Sequence, residues 1–310
     1  MKRTIALVLI LLLFTHTTLT AAGVSQHRIM CVGDSITESR KKENSWRYKL
    51  VQKLNENGYK GKFDMVGRNC GFYGTQDTSW DSQHSGYWGA KADQILNGDL
   101  PRGKNDHGSI KEWAPKYKPT IALIHLGTND SKGGKKPDTI LMGIKGIIDH
   151  LRMAVPEVKI VVAQILPIGN SNPEKIVQEL NSKIPLWAET VSSAQSPLKI
   201  VDMHSDMVIG EDQDELHPNE KGSQKMADKW YTVIKEWLDI TGIKNGAVLE
   251  FTGNHKSQFK PRSMSWIRDN RGDIFYLNGR NITSSSNRSF NLFIVKSQRD
   301  LKGYTFIPSR

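Results

Sequence analysis

The sequence contains few cysteines and no recognisable metal or phosphate motif. Cys31 and Cys70 are the only two cysteines among 310 residues, so a framework of several disulfides is excluded and at most one bridge can form. The sequence is compatible with one disulfide bridge or with two free thiols, and we favour two buried free thiols. No Cys, His, Asp or Glu cluster has metal-ligand spacing, and no glycine-rich phosphate loop is present. We therefore expect no metal and no cofactor.

The chain also lacks an apolar run long enough to cross a membrane, although its N-terminus is apolar. Lys2 and Arg3 precede an unbroken apolar run from Ile5 to Phe14, and a polar stretch then ends at Ala21-Ala22. This layout is typical of a secretory signal peptide that is cleaved after residue 21 or 22. A retained signal anchor is the alternative, but the run is too short to span a bilayer. The sequence thus predicts a signal peptide over residues 1–22 and a secreted protein without a stable membrane anchor.

Strand and helix patterns alternate over residues 27–242, the predicted main domain. Helices with one apolar face are expected from Trp46, from Pro137 and around Met226. Five apolar runs predict buried strands: Ile29 to Val32, Phe63 to Val66, Thr120 to Ile124, Val158 to Ile165, and Leu198 to Val201. Such alternation predicts an α/β fold with a parallel five-stranded sheet between two layers of helices. In such folds the site lies beyond the carboxyl ends of the strands.

A candidate nucleophile follows the first strand in the sequence Gly33-Asp34-Ser35-Ile36-Thr37. The glycine permits a tight turn from strand to helix, and the backbone N–H groups at the start of the helix can bind a developing oxyanion. Ser35 is therefore placed as a serine nucleophile would be. A surface turn is the alternative interpretation of this short string. A thiol nucleophile at Cys31 is not expected, because that residue lies inside the apolar strand.

Two later segments supply partners for such a serine. Asn129 follows the third strand and is expected on the same edge of the sheet, where its amide can donate to an oxyanion, although a plain turn also fits. Asp214 lies three residues before His217, just ahead of the last helix. An acid at this spacing can orient the imidazole towards a serine. His84 and His125 are alternative bases, but neither has an acid at a useful spacing.

The chain resembles the SGNH (GDSL-type) hydrolase superfamily over roughly residues 28–238. The resemblance is carried by three motifs, in this order and at these separations: Gly33-Asp34-Ser35-Ile36-Thr37, Gly127-Thr128-Asn129-Asp130 and Asp214-Glu215-Leu216-His217. The resemblance implies a flavodoxin-like three-layer α/β/α sandwich. It also implies a catalytic triad of Ser35, His217 and Asp214. The oxyanion hole would then consist of the Ser35 N–H, a glycine N–H and the Asn129 amide.

The segment His84-Ser85-Gly86-Tyr87-Trp88 resembles a block of the acetylxylan esterases of carbohydrate esterase family three. This resemblance points to Gly86 as the glycine donor, with Gly89 and Gly71 as alternatives. The family's His-Glu-Gly before this block is replaced by Asp81-Ser82-Gln83, which weakens the substrate assignment. Aromatic side chains near the block are predicted to contact a sugar ring, although a core role is the alternative: Trp80, Tyr87 and Trp88.

Residues 243–310 differ in character from the preceding domain. They contain twelve Lys and Arg against four Asp and Glu, which is a net charge of +8 out of +11 for the whole chain. Short apolar runs such as Ile274 to Leu277 and Leu292 to Val295 predict a small extension that is rich in β-structure or partly disordered. An acidic matrix is a possible partner of this basic extension.

The interpretation that we favour is a secreted serine esterase that removes acetyl groups from acetylated polysaccharide or oligosaccharide. A lipid or thioester acyl hydrolase of the same superfamily is the enzymatic alternative. A non-catalytic carbohydrate-binding protein is the alternative from another class, but a binder needs no complete set of nucleophile, base, acid and amide donor. No nucleic-acid partner is expected.

Overall fold

The computed structural model describes residues 27–39, 45–71 and 77–239, and five short strands between residues 265 and 308. The chain divides into two compact units, Met1–Gly246 and Ala247–Arg310. The predicted signal peptide lies outside the described residues. Within the part of the chain that the structure describes, no helix is both long and apolar enough to cross a membrane.

The described part of the first unit contains seven strands and eight α-helices in alternation. The strands are β1 (His27–Gly33), β2 (Phe63–Val66), β3 (Asn69–Cys70), β4 (Gln83–Gly86), β5 (Ile121–His125), β6 (Lys159–Gln164) and β7 (Leu198–Asp202). The helices are α1 (Ser35–Glu38), α2 (Trp46–Leu54), α3 (Ala92–Asn97), α4 (Ile110–Tyr117), α5 (Thr128–Lys132), α6 (Pro137–Ala154), α7 (Ser171–Val191) and α8 (Glu220–Asp239).

The strands form one mostly parallel sheet in the order β3-β4-β1-β5-β6-β7. β1 lies at its centre and pairs with β5 on one side along Ile29 to Gly33. On its other side β1 pairs first with β2 and then, over its last two residues, with β4. β2 and β4 therefore share one position, and the seven strands occupy six positions in the sheet. The short β3 pairs with β4 and is antiparallel to it. The predicted α/β fold, with helices on both faces of a largely parallel sheet, is confirmed.

Side chains alternate between two cores because successive strand residues point to opposite faces of a sheet. In β1, Met30 and Val32 face the core formed with α3, α4, α6 and α7. Ile29 and Cys31 face the other core, formed with α2 and α8. Both faces are covered, so the central strands consist of continuous apolar runs.

The helices have the apolar faces that the sequence predicts. α6 begins with a proline, which lacks an N–H that the first helical turn would leave unpaired. Its stripe of Ile140, Ile144 and Ile147 is fully buried. α2 continues into a π-type turn over Asn55–Tyr59, and Gly58 has φ +84°, in the left-handed region that glycine tolerates.

In the second unit the structure describes backbone strands. These are β8 (Ser265–Arg268), β9 (Ile274–Leu277), β10 (Ile282–Ser284), β11 (Phe290–Phe293) and β12 (Thr305–Pro308). β8, β9 and β10 form an antiparallel sheet, and β11 pairs with β12. One of these strands coincides with the predicted run Ile274 to Leu277.

Candidate active site

The turn between β1 and α1 presents Ser35 at the carboxyl edge of the sheet. Asp34 is the N-cap of α1 and accepts a hydrogen bond from the Ile36 N–H at 2.9 Å. Gly33 leaves no room for a side chain, since a Cβ there would lie 2.8 Å from the carbonyl oxygen of His125. Ser35 is the first helical residue, so its N–H has no partner within the helix. The nucleophile candidate therefore sits beside a backbone donor on a tightly packed turn.

A buried arginine holds the other end of α1. Arg47, on α2, is fully buried, and its Nε donates to the Thr37 carbonyl at 2.7 Å. Its two terminal nitrogens donate to the carbonyls of Ser82 and Glu38 at 2.9 and 3.3 Å. Helix carbonyls at the C-terminal end need external donors, and Arg47 supplies them. The short helix that carries Ser35 is thus fixed at both ends.

The loop between β7 and α8 carries His217 and Asp214. The Asp214 Oδ1 accepts the backbone N–H groups of Leu216 and His217, both at 2.7 Å. The backbone N–H of Asp214 donates to the His217 carbonyl at 3.0 Å. Gln213 ties the loop to the end of β6 by donating to the Pro167 carbonyl at 2.7 Å. The loop is therefore a closed turn with a defined position at the sheet edge.

The structure brings Ser35 and His217 together across 182 residues of chain. The His217 Nε2 lies 2.9 Å from the Ser35 Oγ, and both side chains are buried. This is hydrogen-bond distance between a hydroxyl and an imidazole that can accept its proton.

The two other histidines that compete as bases lie fully in the interior. The Nδ1 of His84 accepts a hydrogen bond from the backbone of its own strand. Burial lowers the pKa of His125 to about 4. Burial, followed by the charges of Arg47 and Lys104, lowers the pKa of His84 well below its usual value. Both imidazoles are therefore neutral interior groups.

Asn129 lies on α5, one turn after β5, and reaches the same edge as Ser35. β1 and β5 are in register with Gly33 opposite His125, so the residues that follow the two strands are neighbours. The Asn129 Nδ2 donates to the Ala90 carbonyl at 3.1 Å and lies 3.4 Å from the Asp34 Oδ2. The amide is thus oriented by two acceptors beside the nucleophile turn.

The predicted oxyanion donor Gly86 lies at the end of β4, opposite Gly33 and beside the Ser35 turn. The Gly86 N–H donates to the His84 Nδ1 at 3.0 Å within β4, so it is engaged inside the protein. A side chain at this position would meet Thr37 Cγ2 at 2.8 Å, which explains why a glycine stands here. A glycine is required at this position because β4 packs closely against α1. Gly89, with φ +82°, forms the turn after Trp88, and Gly71 follows β3.

The three predicted sugar-contacting aromatics have different environments. Trp80 is only 7% exposed and packs against Tyr48 and the Arg47 guanidinium, an environment that favours the alternative of a core role. Tyr87 is 1% exposed and stacks on Trp113. Trp88 is half-buried and stacks on the His217 imidazole with ring centroids 4.9 Å apart. Trp88 is therefore the aromatic residue placed at the candidate site.

Asp34 is an unusual acid, because its carboxyl group is completely buried next to the nucleophile. Burial above all, together with the neighbouring charge of Asp130, raises the pKa of Asp34 to about 7, although the hydrogen bond from the Ile36 N–H partly offsets this rise. A hydrogen-bonded cap with a raised pKa is a group whose proton is held in the folded state. This property could not be predicted from the sequence, in which Asp34 is recognisable only as part of the motif around Ser35.

Both cysteines are free in this structure. Cys31 is completely buried in β1, whereas Cys70 is exposed at the end of β3. Burial raises the pKa of the Cys31 thiol to about 12, so it is an inert core residue.

The site can be compared with known proteins once its geometry is defined. A sequence model of the GDSL-like lipase/acylhydrolase family matches residues 31–225. The chain belongs to this family. The match confirms the resemblance that the three motifs indicated, and it covers the end of β1, the strands β2 to β7 and the Ser35, Asn129 and His217 motifs.

Similar proteins within the GDSL-like family include carbohydrate esterases. A multidomain esterase from Ruminococcus flavefaciens is 30% identical over 229 residues, which cover 68% of this chain and 29% of that protein. An acetylxylan esterase from Xylanibacter ruminicola is 32% identical over 184 residues, which cover 48% of this chain and 36% of that protein. The matches thus span about a third of each relative.

A solved structure in the same group has a similar fold. The crystal structure of a carbohydrate esterase family 3 protein from Talaromyces cellulolyticus superposes with a TM-score of 0.58 at 27% identity. The superposition covers 69% of this chain and 98% of that one. This GDSL-like chain therefore covers nearly the whole of that solved chain.

The sequence missed several residues that shape the site. Because it lies in an amphipathic helix, Arg47 is expected at the surface. No sequence pattern indicates that its guanidinium is buried. Glu38 is also buried, and its carboxylate accepts the Trp88 N–H. Arg102 and Lys104 lie in a loop of turn residues, where a charge usually indicates only a solvated surface. Their proximity to Trp88 comes from the fold, not from their spacing.

Proposed function

We propose that this chain is a serine esterase that removes short acyl groups, chiefly acetyl, from carbohydrate. The observation that carries the proposal is the 2.9 Å contact between the Ser35 Oγ and the His217 Nε2. A serine becomes nucleophilic when an adjacent base accepts its proton. Membership of the GDSL-like family and the similarity to an acetylxylan esterase support the choice of an ester substrate.

The mechanism assigns a role to each group at the sheet edge. The Ser35 Oγ attacks the acyl carbonyl while its proton passes to the His217 Nε2, and Asp214 orients the base. The developing oxyanion is stabilised by the Ser35 N–H and the Asn129 amide. The sugar hydroxyl leaves with the proton from His217. Water then attacks the acyl-enzyme, giving its proton to His217, and acetate is released as the serine is regenerated.

A cleft beside the site favours a carbohydrate over a long acyl chain. Trp88 places a half-buried aromatic ring next to His217, and the edge and the N–H of such a ring suit a polar sugar. The cleft also contains charged groups, Glu38, Arg102 and Lys104, and these disfavour an alkyl tail. We therefore place lipid hydrolysis second.

We also propose that the protein is exported, on the basis of the signal-peptide pattern in residues 1–22. These residues lie outside the described part of the chain. N-terminal sequencing of the mature protein tests this proposal, and retention of Met1 would contradict it.

One substrate panel tests the proposed activity. Acetate release from acetylated xylan is compared with hydrolysis of p-nitrophenyl acetate, butyrate and palmitate. The proposal predicts activity on acetylated xylan and on the acetate ester, with a steep fall towards palmitate. Faster hydrolysis of palmitate than of acetate would favour a lipid hydrolase, and activity on none of the four substrates would contradict an esterase.

A further inference from the structure

A small charged cleft lies directly beside the candidate catalytic pair. It has a volume of about 190 Å³. Its lining combines two aromatic rings, a proline, one acid and two cations: Tyr87, Trp88, Pro101, Glu38, Arg102 and Lys104. The acid and the two cations are separate from the catalytic pair of Ser35 and His217, and the proposed hydrolysis does not use them.

Glu38 is already satisfied by groups of the protein. Its carboxylate is buried, accepts the Trp88 N–H and lies 3.8 Å from the Lys104 Nζ. Arg102 differs, because its guanidinium lies over the Trp88 ring at 5.2 Å and its side chain is exposed. Among the residues that the structure describes, no carboxylate pairs with Arg102. The cleft thus presents a cation without a partner anion in the described structure.

Charges of both signs surround the cleft, because Arg68 and Lys104 are opposed by Asp106 and Glu38. Burial, followed by the charges of Arg68 and Lys104, lowers the pKa of His107, whose ring packs against Tyr87. Arg102 has φ +61°, in the left-handed region that costs a residue with a side chain. Such backbone conformations cluster at ligand sites. The loop therefore holds a cation at a fixed position despite a local conformational cost.

Trp88 connects this cation to the nucleophile. The ring contacts the Arg102 guanidinium and stacks on His217 at 4.9 Å, and His217 contacts the Ser35 Oγ at 2.9 Å. A group bound at Arg102 is therefore close to the reacting ester without occupying its place.

We propose that the cleft binds the carboxylate of a uronic acid on a sugar next to the acetylated one. The inference rests on the proposed function and specifies its substrate class as acetylated acidic polysaccharide. The planar guanidinium of Arg102 matches a carboxylate with two parallel hydrogen bonds, whereas the charge of Lys104 is balanced by Glu38. Trp88 contacts both the Arg102 guanidinium and the His217 imidazole, so its ring sets the spacing between the bound carboxylate and the reacting ester.

The test compares two substrates that differ only in charge. Acetylated xylo-oligosaccharides with a glucuronosyl side group are assayed beside the same oligosaccharides with the carboxyl converted to its uncharged amide. We expect kcat/KM to be about tenfold higher for the acidic form, as for one charge-assisted contact. The preference should shrink in 0.5 M salt, where the Debye length falls below about 5 Å.

Two variants locate the source of this preference. Arg102→Met should bring the ratio of acidic to amide substrate close to one. Lys116→Met is the matched control, because Lys116 is an exposed cation over an aromatic ring, Tyr117, at the opposite edge of the sheet. It should leave the ratio unchanged. A wild-type ratio near one, or a ratio that persists in Arg102→Met, would overturn the inference.

A binding measurement separates this inference from the proposed function. Calorimetric titration with the deacetylated acidic oligosaccharide requires no hydrolysis, and we expect it to bind more tightly than its amide. If the enzyme cleaves p-nitrophenyl acetate but shows no preference in binding or catalysis, only the uronate site fails. If it cleaves no ester but binds the acidic form through Arg102, the esterase proposal fails and the cleft assignment stands.

Discussion

At the residue scale, the motifs identified Ser35, Asn129 and His217 because each follows a recognisable strand or precedes a recognisable helix. The strand ends could be located from sequence, so the side chains that follow them could be placed on one edge. Arg47 and Glu38 could not be found in this way. A buried charge is set by its partners from other segments, and neither residue has a local pattern that announces burial.

Asn129 gives the first prediction at this scale. Asn129→Ala should reduce kcat for p-nitrophenyl acetate by roughly 10² to 10³ with little change in KM, because an oxyanion donor acts mainly in the transition state. Asn57→Ala is the control, since this exposed residue of the α2 extension donates only to the Lys53 carbonyl. A change confined to KM would mean that Asn129 binds substrate in its ground state.

Asp34 gives a prediction about pH. Burial raises the pKa of Asp34 to about 7 from 3.8, so the folded state retains a proton that the unfolded chain has released. The stabilisation is complete below about pH 4 and is lost as pH rises through about 7. Asp34→Asn keeps a cap acceptor but cannot titrate.

Calorimetric melting at pH 5, 6, 7 and 8 tests this behaviour. The Tm of the wild type should fall relative to that of Asp34→Asn as pH rises. A difference between the two proteins that stays constant across this range would show that Asp34 does not titrate there.

At the element scale, the five apolar runs could be predicted as strands. Both faces of the sheet are covered, and strands in such a sheet consist of continuous apolar residues. β3 and β4 could not be predicted, since one has two residues and the other is the polar sequence Gln83–Gly86. Their pairing depends on the neighbouring end of β1, not on an apolar pattern. The hydrogen bond from the Gly86 N–H to His84 could not be predicted either, because it arises from the local strand geometry.

The N-cap of α5 gives a prediction about one glycine. Gly127 has φ +128°, and a Cβ there would lie 2.8 Å from Leu180 Cδ2. Gly127→Ala should therefore lower the free energy of unfolding for two reasons, backbone strain and overpacking. Overpacking alone typically costs about 1–3 kcal/mol. The variant should also lower activity by shifting Asn129.

Gly61→Ala separates the two causes. Gly61 has φ +75° and nothing within 4 Å of an added Cβ, so this variant carries backbone strain alone. Urea unfolding of both variants measures the difference. Equal losses of stability would contradict the packing argument at Gly127.

At the scale of the whole molecule, positive charge is concentrated in residues 243–310, which carry +8 of the net +11. We propose that this extension tethers the protein to an acidic matrix. A protein truncated after Gly242 should hydrolyse p-nitrophenyl acetate normally but bind an acidic, insoluble polysaccharide less well. The difference should fade between roughly 0.05 and 0.5 M salt as screening increases.

Thermal melting provides the control for the truncation. A truncated protein that binds the matrix like the full chain but melts many degrees lower would reject tethering. That result would mean that the extension stabilises the fold.

The central claim is that Ser35 and His217 act together as nucleophile and base. The most direct measurement is kcat for p-nitrophenyl acetate in Ser35→Ala, with Ser182→Ala as the control, because Ser182 is an exposed serine on α7 that bonds only to the Glu179 carbonyl. The account predicts a loss of about 10⁴ to 10⁶ for Ser35→Ala and no loss for the control. Activity of Ser35→Ala within tenfold of the wild type would contradict it.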